Sequence, residues 1–150
     1  MEQIEEFNII GIAVQTTNEN NQAGIDLGQL WDRFFSENVS EKISNKLSND
    51  IYSIYTEYET DYTGKYTSIL GHKVSSLGNI PDGMIGKTFE TSNYKKITAK
   101  GEMPRAIVTT WLDIWARDKE LKRAYKQDFE IHGAKSQQGE NSEVEIYLSI

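Results

Sequence analysis

Residues 124–132 include three side chains, at alternate positions, that can exchange protons or pair with a charge. This segment has the composition of a β-strand, so one face carries Asp128, Glu130 and His132 and the other face is apolar. If the apolar face packs beneath helices, Glu130 is simply exposed to solvent. If the strand instead borders a groove, Glu130 is a buried carboxylate, which requires hydrogen-bond donors or an incoming cation. The residues alone leave both interpretations open.

Aromatic side chains with polar tips are the second feature that could bind a ligand. The chain has eight Tyr and three Trp beside five Phe. A core accounts for most of them, but Tyr and Trp need hydrogen-bond partners when they are buried. Their π faces also attract flat or cationic organic molecules, so part of this set suits the wall of a pocket. On the last strand Glu145 and Tyr147 share a face, and alternation alone favours an outward position for both.

Composition and charge exclude several classes of function. The net charge is −7 and the isoelectric point is near 4.9, whereas an unaided nucleic-acid binder presents a basic face to phosphates. The absence of cysteine excludes a disulfide framework, a thiolate metal site and a cysteine nucleophile. His72 and His132 lack the spacing of a helical metal pair, and we predict neither a metal site nor a cofactor. No apolar run suits a membrane span and no signal sequence opens the chain, so we expect a cytoplasmic protein.

Apolar periodicity predicts a strand, a helix and two strands in the first half of the chain. Residues 7–14 are β-branched and apolar and form the first strand, and Asp26 caps the helix that follows. The positions that recur at helical spacing are Leu27, Leu30, Trp31 and Phe34. Residues 51–58 and 66–74 form two further strands, because they are rich in residues that suit a pleated, half-buried surface.

A turn-rich segment at residues 77–83 divides the chain, and the same order of elements returns beyond it. A strand at 94–101 precedes a helix that begins at Pro104, and strands at 124–132 and 143–150 follow. The apolar stripe of this second helix consists of Ile107, Trp111, Ile114 and Trp115. The second half is therefore also predicted as strand, helix, strand and strand.

These elements predict an α+β fold built from two βαββ repeats related by a pseudo-twofold axis. We expect a single domain over residues 1–150, with repeat one at about 6–76, a linker at 77–83 and repeat two at about 84–150. The most economical arrangement joins the strands of both repeats in one antiparallel sheet and places the two main helices on one face. A ligand groove would then lie between the repeats.

Several short motifs are weak evidence of a protein family when taken one by one, but their order and spacing together are informative. They lie at residues 7–12, 30–34, 51–59, 61–67, 100–104, 111–115, 128–130 and 143–150. Together they resemble the GyrI-like effector-binding domain, the ligand-sensing part of AraC-type and MerR-type multidrug regulators, and most of all its stand-alone, integron-associated members. The resemblance begins at residue 7 and leaves no room for a preceding helix-turn-helix, so we expect no direct contact with nucleic acid.

This resemblance implies a pocket between the repeats for lipophilic, often cationic, organic molecules. It places the buried acidic residue of the pocket at Glu130. It assigns aromatic side chains to the pocket wall, namely Tyr66, Trp111 and Tyr147, with Tyr55, Trp31 and Trp115 as further candidates. The family commonly has an aromatic residue two positions after the acidic one. Here that position is His132, which would add a titratable group beside Glu130.

The sequence therefore predicts a small-molecule effector-binding protein with a role in transcription or drug response, and not an enzyme. Two alternatives stay open. Some stand-alone members of the family hydrolyse strained electrophilic natural products, with the pocket glutamate as general base. A protein-interaction role, in which the acidic first half contacts a toxin or a topoisomerase, would not depend on Glu130. We predict a small molecule as the main partner, no membrane partner, and leave a protein partner open.

Overall fold

The computed structural model describes all 150 residues, and its framework is one curled sheet. The strands are β1 (Glu2–Ile4), β2 (Phe7–Thr17), β3 (Ile51–Thr56), β4 (Lys65–Val74), β5 (Ile85–Phe89), β6 (Ser92–Lys100), β7 (Gln127–His132) and β8 (Glu143–Ser149). Their order across the sheet is β1-β6-β8-β7-β3-β4-β2-β5, and every neighbouring pair is antiparallel.

Two long helices cover one face of this sheet. The α-helices are α1 (Gln22–Ser36), α2 (Val39–Lys42), α3 (Arg105–Ala116) and α4 (Asp118–Leu121), with short 3₁₀ turns at Glu19–Asn21, Ala134–Gln137 and Gly139–Asn141. Leu30 and Phe34 of α1 pack on the apolar residues of β2 and β4. Ile114 of α3 packs in the same way on β6 and β8. None of these helices has both the length and the apolar character needed to span a bilayer.

The strand order is symmetric about the central pair β3–β7. Each half of the chain contributes one series, β2–α1–β3–β4 and β6–α3–β7–β8, and corresponding strands lie at equivalent distances from the centre. The outermost strands are exchanged between the halves, since β5 pairs with β2 and β1 pairs with β6. The predicted α+β fold with one antiparallel sheet is confirmed. The boundaries of the two repeats stay a prediction.

Several elements differ from their predicted bounds because local contacts, and not side-chain pattern, set their ends. β3 ends at Thr56, two residues early, because Glu57 has a φ of 53° that interrupts the extended backbone. α1 begins at Gln22, so Asp26 lies inside the helix instead of capping it. The Asp26 carboxylate accepts a hydrogen bond from Thr16 Oγ1 at 2.8 Å, which ties the helix to β2.

The two faces of the sheet bury different kinds of side chain. The face toward the helices has one aliphatic cluster beneath α1 and another beneath α3. The opposite face packs against itself inside the curl, around an aromatic group that includes Phe7, Phe89, Tyr94 and Phe129. Because side chains alternate along β7, the inward position of Phe129 directs Glu130 toward the helices. The curl therefore decides between the two orientations that the sequence left open.

Gly11 and Gly71 face each other on β2 and β4, where the backbones leave no room for a side chain. A Cβ added to Gly71 would lie 2.2 Å from the carbonyl oxygen of Ile10. We expect Gly71→Ala to lower the free energy of unfolding by at least about 2 kcal/mol in urea denaturation. Gly28→Ala on α1 is the control, because nothing lies within 4 Å of its added Cβ. Gly28→Ala should stabilise the helix by about 0.5–1 kcal/mol. Equal losses of stability in both variants would contradict the explanation that the close approach of β2 and β4 excludes a side chain.

Candidate functional site

A cavity of about 770 Å³ opens between α1 and α3, above the central strands β3 and β7. Leu27 and Trp31 belong to the α1 wall, while Ile107, Trp111 and Trp115 belong to the α3 wall. Of its 22 lining residues, 13 are hydrophobic, and the polar ones are concentrated on the strands and loops beneath the helices. A concave, mostly apolar site with a few converging polar groups is typical of small-molecule binding.

Glu130 lines the floor of this cavity and is only 2% exposed. Its Oε2 accepts hydrogen bonds from Trp111 Nε1 at 2.6 Å and from Tyr55 Oη at 2.9 Å. Its Oε1 lies 2.7 Å from His132 Nε2. All three neighbours can donate, and an ionised carboxylate can only accept, so the arrangement suits a buried negative charge.

Two tyrosines of the cavity are held in their protonated form. Burial, with the neighbouring Glu130 as the next cause, raises the pKa of Tyr55 well above its usual value. Burial also raises the pKa of Tyr66 to about 12, with smaller contributions from Glu130 and Asp26. At neutral pH both hydroxyls therefore donate hydrogen bonds, and that of Tyr66 donates to Asn18 Oδ1 at 2.9 Å.

Paired aromatic rings stiffen the walls of the cavity. Trp31 meets the ring of His132 edge to face, with centroids 5.0 Å apart. Trp115 stacks on Tyr62 at 5.6 Å with nearly parallel rings. Such pairs stabilise each other beyond simple burial of area. The same rings offer apolar area and π electrons to a flat or cationic molecule.

A second group of buried charges adjoins Glu130 along β7. Arg123 Nη2 lies 2.5 Å from Asp128 Oδ2, and the two side chains are 1% and 0% exposed. Tyr58 Oη donates to the same carboxylate oxygen at 2.5 Å, and the backbone N–H of Ser149 donates to Oδ1 at 2.9 Å. Burial lowers the pKa of Arg123, but the Asp128 carboxylate together with the hydroxyls of Tyr58 and Tyr125 more than offsets this effect, so the pKa is raised overall. Arg123 also lines the cavity.

The structure brings together seven of the eight residues that the sequence proposed as ligand contacts. The seven that line the cavity are Trp31, Tyr55, Tyr66, Trp111, Trp115, Glu130 and His132. They come from both long helices and from three adjacent strands of the sheet, so only the tertiary fold assembles them. Their contact with a ligand stays a prediction.

Tyr147, the eighth, lies on the other face of the sheet. Its ring stacks on Phe129 with centroids 4.9 Å apart, and its hydroxyl donates to Glu145 Oε2 at 2.9 Å. The pairing of β7 with β8 places Tyr147 opposite Phe129, so both point into the curl. The predicted position of Tyr147 in the pocket wall is corrected accordingly.

Among the cavity residues with polar groups that escaped the sequence analysis are two tyrosines and an arginine. Tyr58 and Tyr62 lie in the segment between β3 and β4, and Arg123 lies between α4 and β7. Strand and helix periodicity does not orient side chains in such connections. The dense spacing of tyrosines between residues 52 and 66 could have indicated the first two. Nothing in the sequence distinguishes Arg123 from an exposed arginine.

The hydrogen bond from Trp111 joins α3 to the buried carboxylate of Glu130, and its loss should lower the stability of the protein. Trp111→Phe keeps an aromatic ring but removes the 2.6 Å hydrogen bond to Glu130. We expect the free energy of unfolding to fall by about 1–3 kcal/mol in urea denaturation, because a buried charged acceptor loses a donor. Trp115→Phe is the matched control, since Trp115 stacks on Tyr62 and makes no contact with the carboxylate. Equal losses in the two variants would show that the hydrogen bond contributes nothing.

Comparison with known proteins relates the chain to one family. A model of the Cass2 family, described as integron-associated effector binding protein, matches residues 1–150. Among solved structures, the integron cassette protein VCH_CASS2 from the mobile metagenome of Vibrio cholerae is 28% identical, with a TM-score of 0.77. That comparison covers 99% of this chain and 92% of the other. Curated protein sequences give no significant match.

Two further solved structures share the fold at lower identity. SAV2435, whose structure holds bound tetraphenylphosphonium, is 18% identical with a TM-score of 0.83, over 99% of this chain and 90% of that one. The C-terminal domain of EcmrR is 11% identical with a TM-score of 0.64, over 99% of this chain and 93% of that one. The family match spans the whole chain, so this protein belongs to the integron-associated effector-binding family.

Proposed function

We propose that this protein binds lipophilic organic cations in the cavity between α1 and α3. The observation that carries the proposal is the buried carboxylate of Glu130 at the floor of an aromatic, mostly apolar cavity. A cation in such a site meets an opposite charge where little water screens it, which strengthens the attraction. Aromatic faces add cation–π attraction of about 1–2 kcal/mol each when the cation is desolvated.

The balance of buried charges favours a cation over an anion. Arg123 and Asp128 form a close pair whose charges cancel, and Glu130 therefore leaves a net charge of −1 among these three groups. The net charge of −7 over the whole chain also attracts cations, at longer range.

The family and one relative support this reading. Effector binding defines the family, and SAV2435, which shares the fold, has been solved bound to tetraphenylphosphonium, a lipophilic cation. A volume of about 770 Å³ also lies within the range of roughly 300–1,000 Å³ that holds drug-sized ligands. In this proposal the protein senses organic cations as part of a drug response or of transcriptional control.

Two ions of nearly equal shape and opposite charge test the proposal. Tetraphenylphosphonium and tetraphenylborate both place four phenyl rings around a central atom, and they differ in the sign of the charge. The phosphonium should raise the melting temperature with increasing concentration, because binding to the native state stabilises it. The borate should have little effect. Similar shifts with both ions, or none with the phosphonium, would contradict the proposal.

The geometry favours binding over hydrolysis at Glu130. Oε2 already accepts two hydrogen bonds and Oε1 lies 2.7 Å from His132 Nε2, so at most one acceptor position of the carboxylate is left for the attacking water that a general base must hold. We therefore propose binding without turnover. Hydrolysis of a strained electrophile such as an epoxide, abolished by Glu130→Gln, would overturn this part of the proposal.

A protein-interaction role would have a different signature. The first 64 residues hold 12 acidic and 3 basic side chains, so a partner held by this region should be released by salt. Its capture should not respond to Glu130→Gln, because Glu130 lies inside the cavity. Ligand-dependent stabilisation that does respond to this substitution supports the small-molecule function instead.

A further inference from the structure

Two apolar side chains of α3 line the cavity and are nevertheless largely in solvent. Val108 and Leu112 are each 56% exposed. They lie four residues apart, so they are neighbours on the helix surface, and we call them the rim row. Apolar side chains that are exposed singly need no explanation, whereas a continuous apolar surface beside a pocket suggests a binding site.

The rim row lies at the outer end of the α3 wall, and Trp111 lies at its inner end. Ile114 is fully buried and marks the side of α3 that packs on the sheet. With about 3.6 residues per turn, Trp111 lies about 60° round the helix from Ile114, Val108 about 120° and Leu112 about 160°. Trp111 Nε1 donates to Glu130, so this wall leads from the carboxylate at the floor to the solvent.

The opposite wall leaves the rim row uncovered. Gly24 and Gly28 of α1 both line the cavity, and both are exposed. Nothing lies within 4 Å of a Cβ added at Gly28, so the space beside this residue is open. At these two positions α1 has no side chain that could reach across the mouth of the cavity to α3.

No charged side chain interrupts the path from the floor to the rim. The Asp, Glu, Lys and Arg side chains that line the cavity are Glu130 and Arg123, and both are buried. Arg123 is already paired with Asp128, so Glu130 is the group that attracts a cation. An occupant that matches the whole surface therefore has its positive charge at the buried end and uncharged, apolar atoms at the rim.

We infer that the binding surface extends beyond the cavity onto the rim row and takes amphiphilic cations, with the cationic head near Glu130 and an alkyl chain that leaves through the mouth along Val108 and Leu112. The inference rests on the proposed function, because it adds a second contact for the same ligand. A compact cation leaves the rim row in water, whereas a long alkyl chain covers it. Each methylene group removed from water strengthens binding by up to about 4-fold.

Butyltriphenylphosphonium and octyltriphenylphosphonium test the inference, because they share the cationic head and differ by four methylene groups. By calorimetric titration below the micelle concentration, the octyl compound should bind wild type at least about 10-fold more tightly than the butyl compound. The double substitution Val108→Gln and Leu112→Gln should lower this ratio to about 3-fold or less. Glutamine is a good helix former, so α3 should stay folded.

The matched control replaces two apolar side chains of similar exposure outside the cavity. Ile25 and Leu47 are 53% and 57% exposed, and neither lines the cavity. The double substitution Ile25→Gln and Leu47→Gln should keep the wild-type ratio of affinities. If both double variants lowered the ratio equally, general surface hydrophobicity would explain the gain from the octyl chain and the inference would fail.

Methyl resonances of the unmodified protein provide a second readout. Those of Val108 and Leu112 should shift with the octyl compound and move much less with the butyl compound, while those of Leu47 should respond to neither. This comparison and the wild-type affinities decide the inference even if the substituted proteins do not fold. Equal wild-type affinities for the two compounds would overturn the inference and leave the proposed function intact. Failure of both compounds to bind would overturn both.

A second copy of this chain is the other occupant that could cover the rim row. We expect wild type without ligand to sediment as the same species as the variant with glutamine at positions 108 and 112. A dimer that this double substitution dissociates would show that protein, and not ligand, covers the rim row, and would overturn the inference.

Discussion

Glu130→Gln is expected to weaken the binding of tetraphenylphosphonium roughly 30-fold or more. Two unit charges about 7 Å apart attract each other by roughly 2 kcal/mol at an effective dielectric constant of about 20. The amide oxygen of Gln can still accept from Trp111 and Tyr55. Its NH₂ can donate to His132, whose ring can adopt the other tautomer. The loss should therefore report the missing charge and not a collapsed site, and calorimetric titration measures it.

Glu145→Gln is the matched control for this substitution. Glu145 is also a strand carboxylate, but it bonds Tyr147 and Lys96 and does not line the cavity. We expect the affinity for the phosphonium to stay within about 2-fold of wild type, since an exposed, paired charge at this distance is well screened. Equal losses from the two substitutions would show that general charge, and not a carboxylate in the cavity, attracts the cation.

Asp128→Asn should have the largest effect on stability of any substitution at the site. It removes the close counter-ion of the buried guanidinium of Arg123 and leaves only the more distant carboxylate of Asp118, at 3.5 Å. Removing one partner of a buried ion pair destabilises a protein by about 3–5 kcal/mol, because the other charge stays buried and unpaired. The change also perturbs the hydrogen bonds from Tyr58 and from the backbone of Ser149. Urea denaturation should show the loss as a lower midpoint at unchanged slope.

An exposed ion pair of similar length serves as the comparison for Asp128→Asn. Asp113 and Arg117 lie four residues apart on the surface, 2.9 Å from each other, with side chains 59% and 39% exposed. Pairs of this kind contribute about 0–1 kcal/mol, so Asp113→Asn should change the unfolding free energy by no more than that. If Asp128→Asn were equally mild, the buried pair would not hold the floor of the cavity in place.

Apolar periodicity was sufficient to predict the central elements of the fold. The positions at helical spacing in α1 and α3, such as Leu30, Phe34 and Ile114, are buried against the sheet, and this burial is what imposes the pattern. The edge strands β1 and β5 were not predictable in this way. They have three and five residues, of which only Phe89 is buried, so no buried face marks them. Their places follow from pairing with strands of the other half.

The candidate site was predictable in its residues but not in their orientation. Alternation grouped Glu130 with Asp128 and His132, yet a curled sheet buries both of its faces, so alternation could not show which one holds the cavity. The same property places Tyr147 in the aromatic core instead of the cavity wall. Arg123 reaches Asp128 from a turn that includes a left-handed residue, Lys122, and no periodic signal describes such a turn.

The central claim is that Glu130 recognises the charge of the ligand. The most direct test is a calorimetric cycle in which wild type and Glu130→Gln are each titrated with tetraphenylphosphonium and tetraphenylborate. We predict that wild type prefers the cation by roughly 30-fold or more, and that the substitution lowers this preference at least about 10-fold. A preference for the cation that is the same in both proteins would contradict the claim.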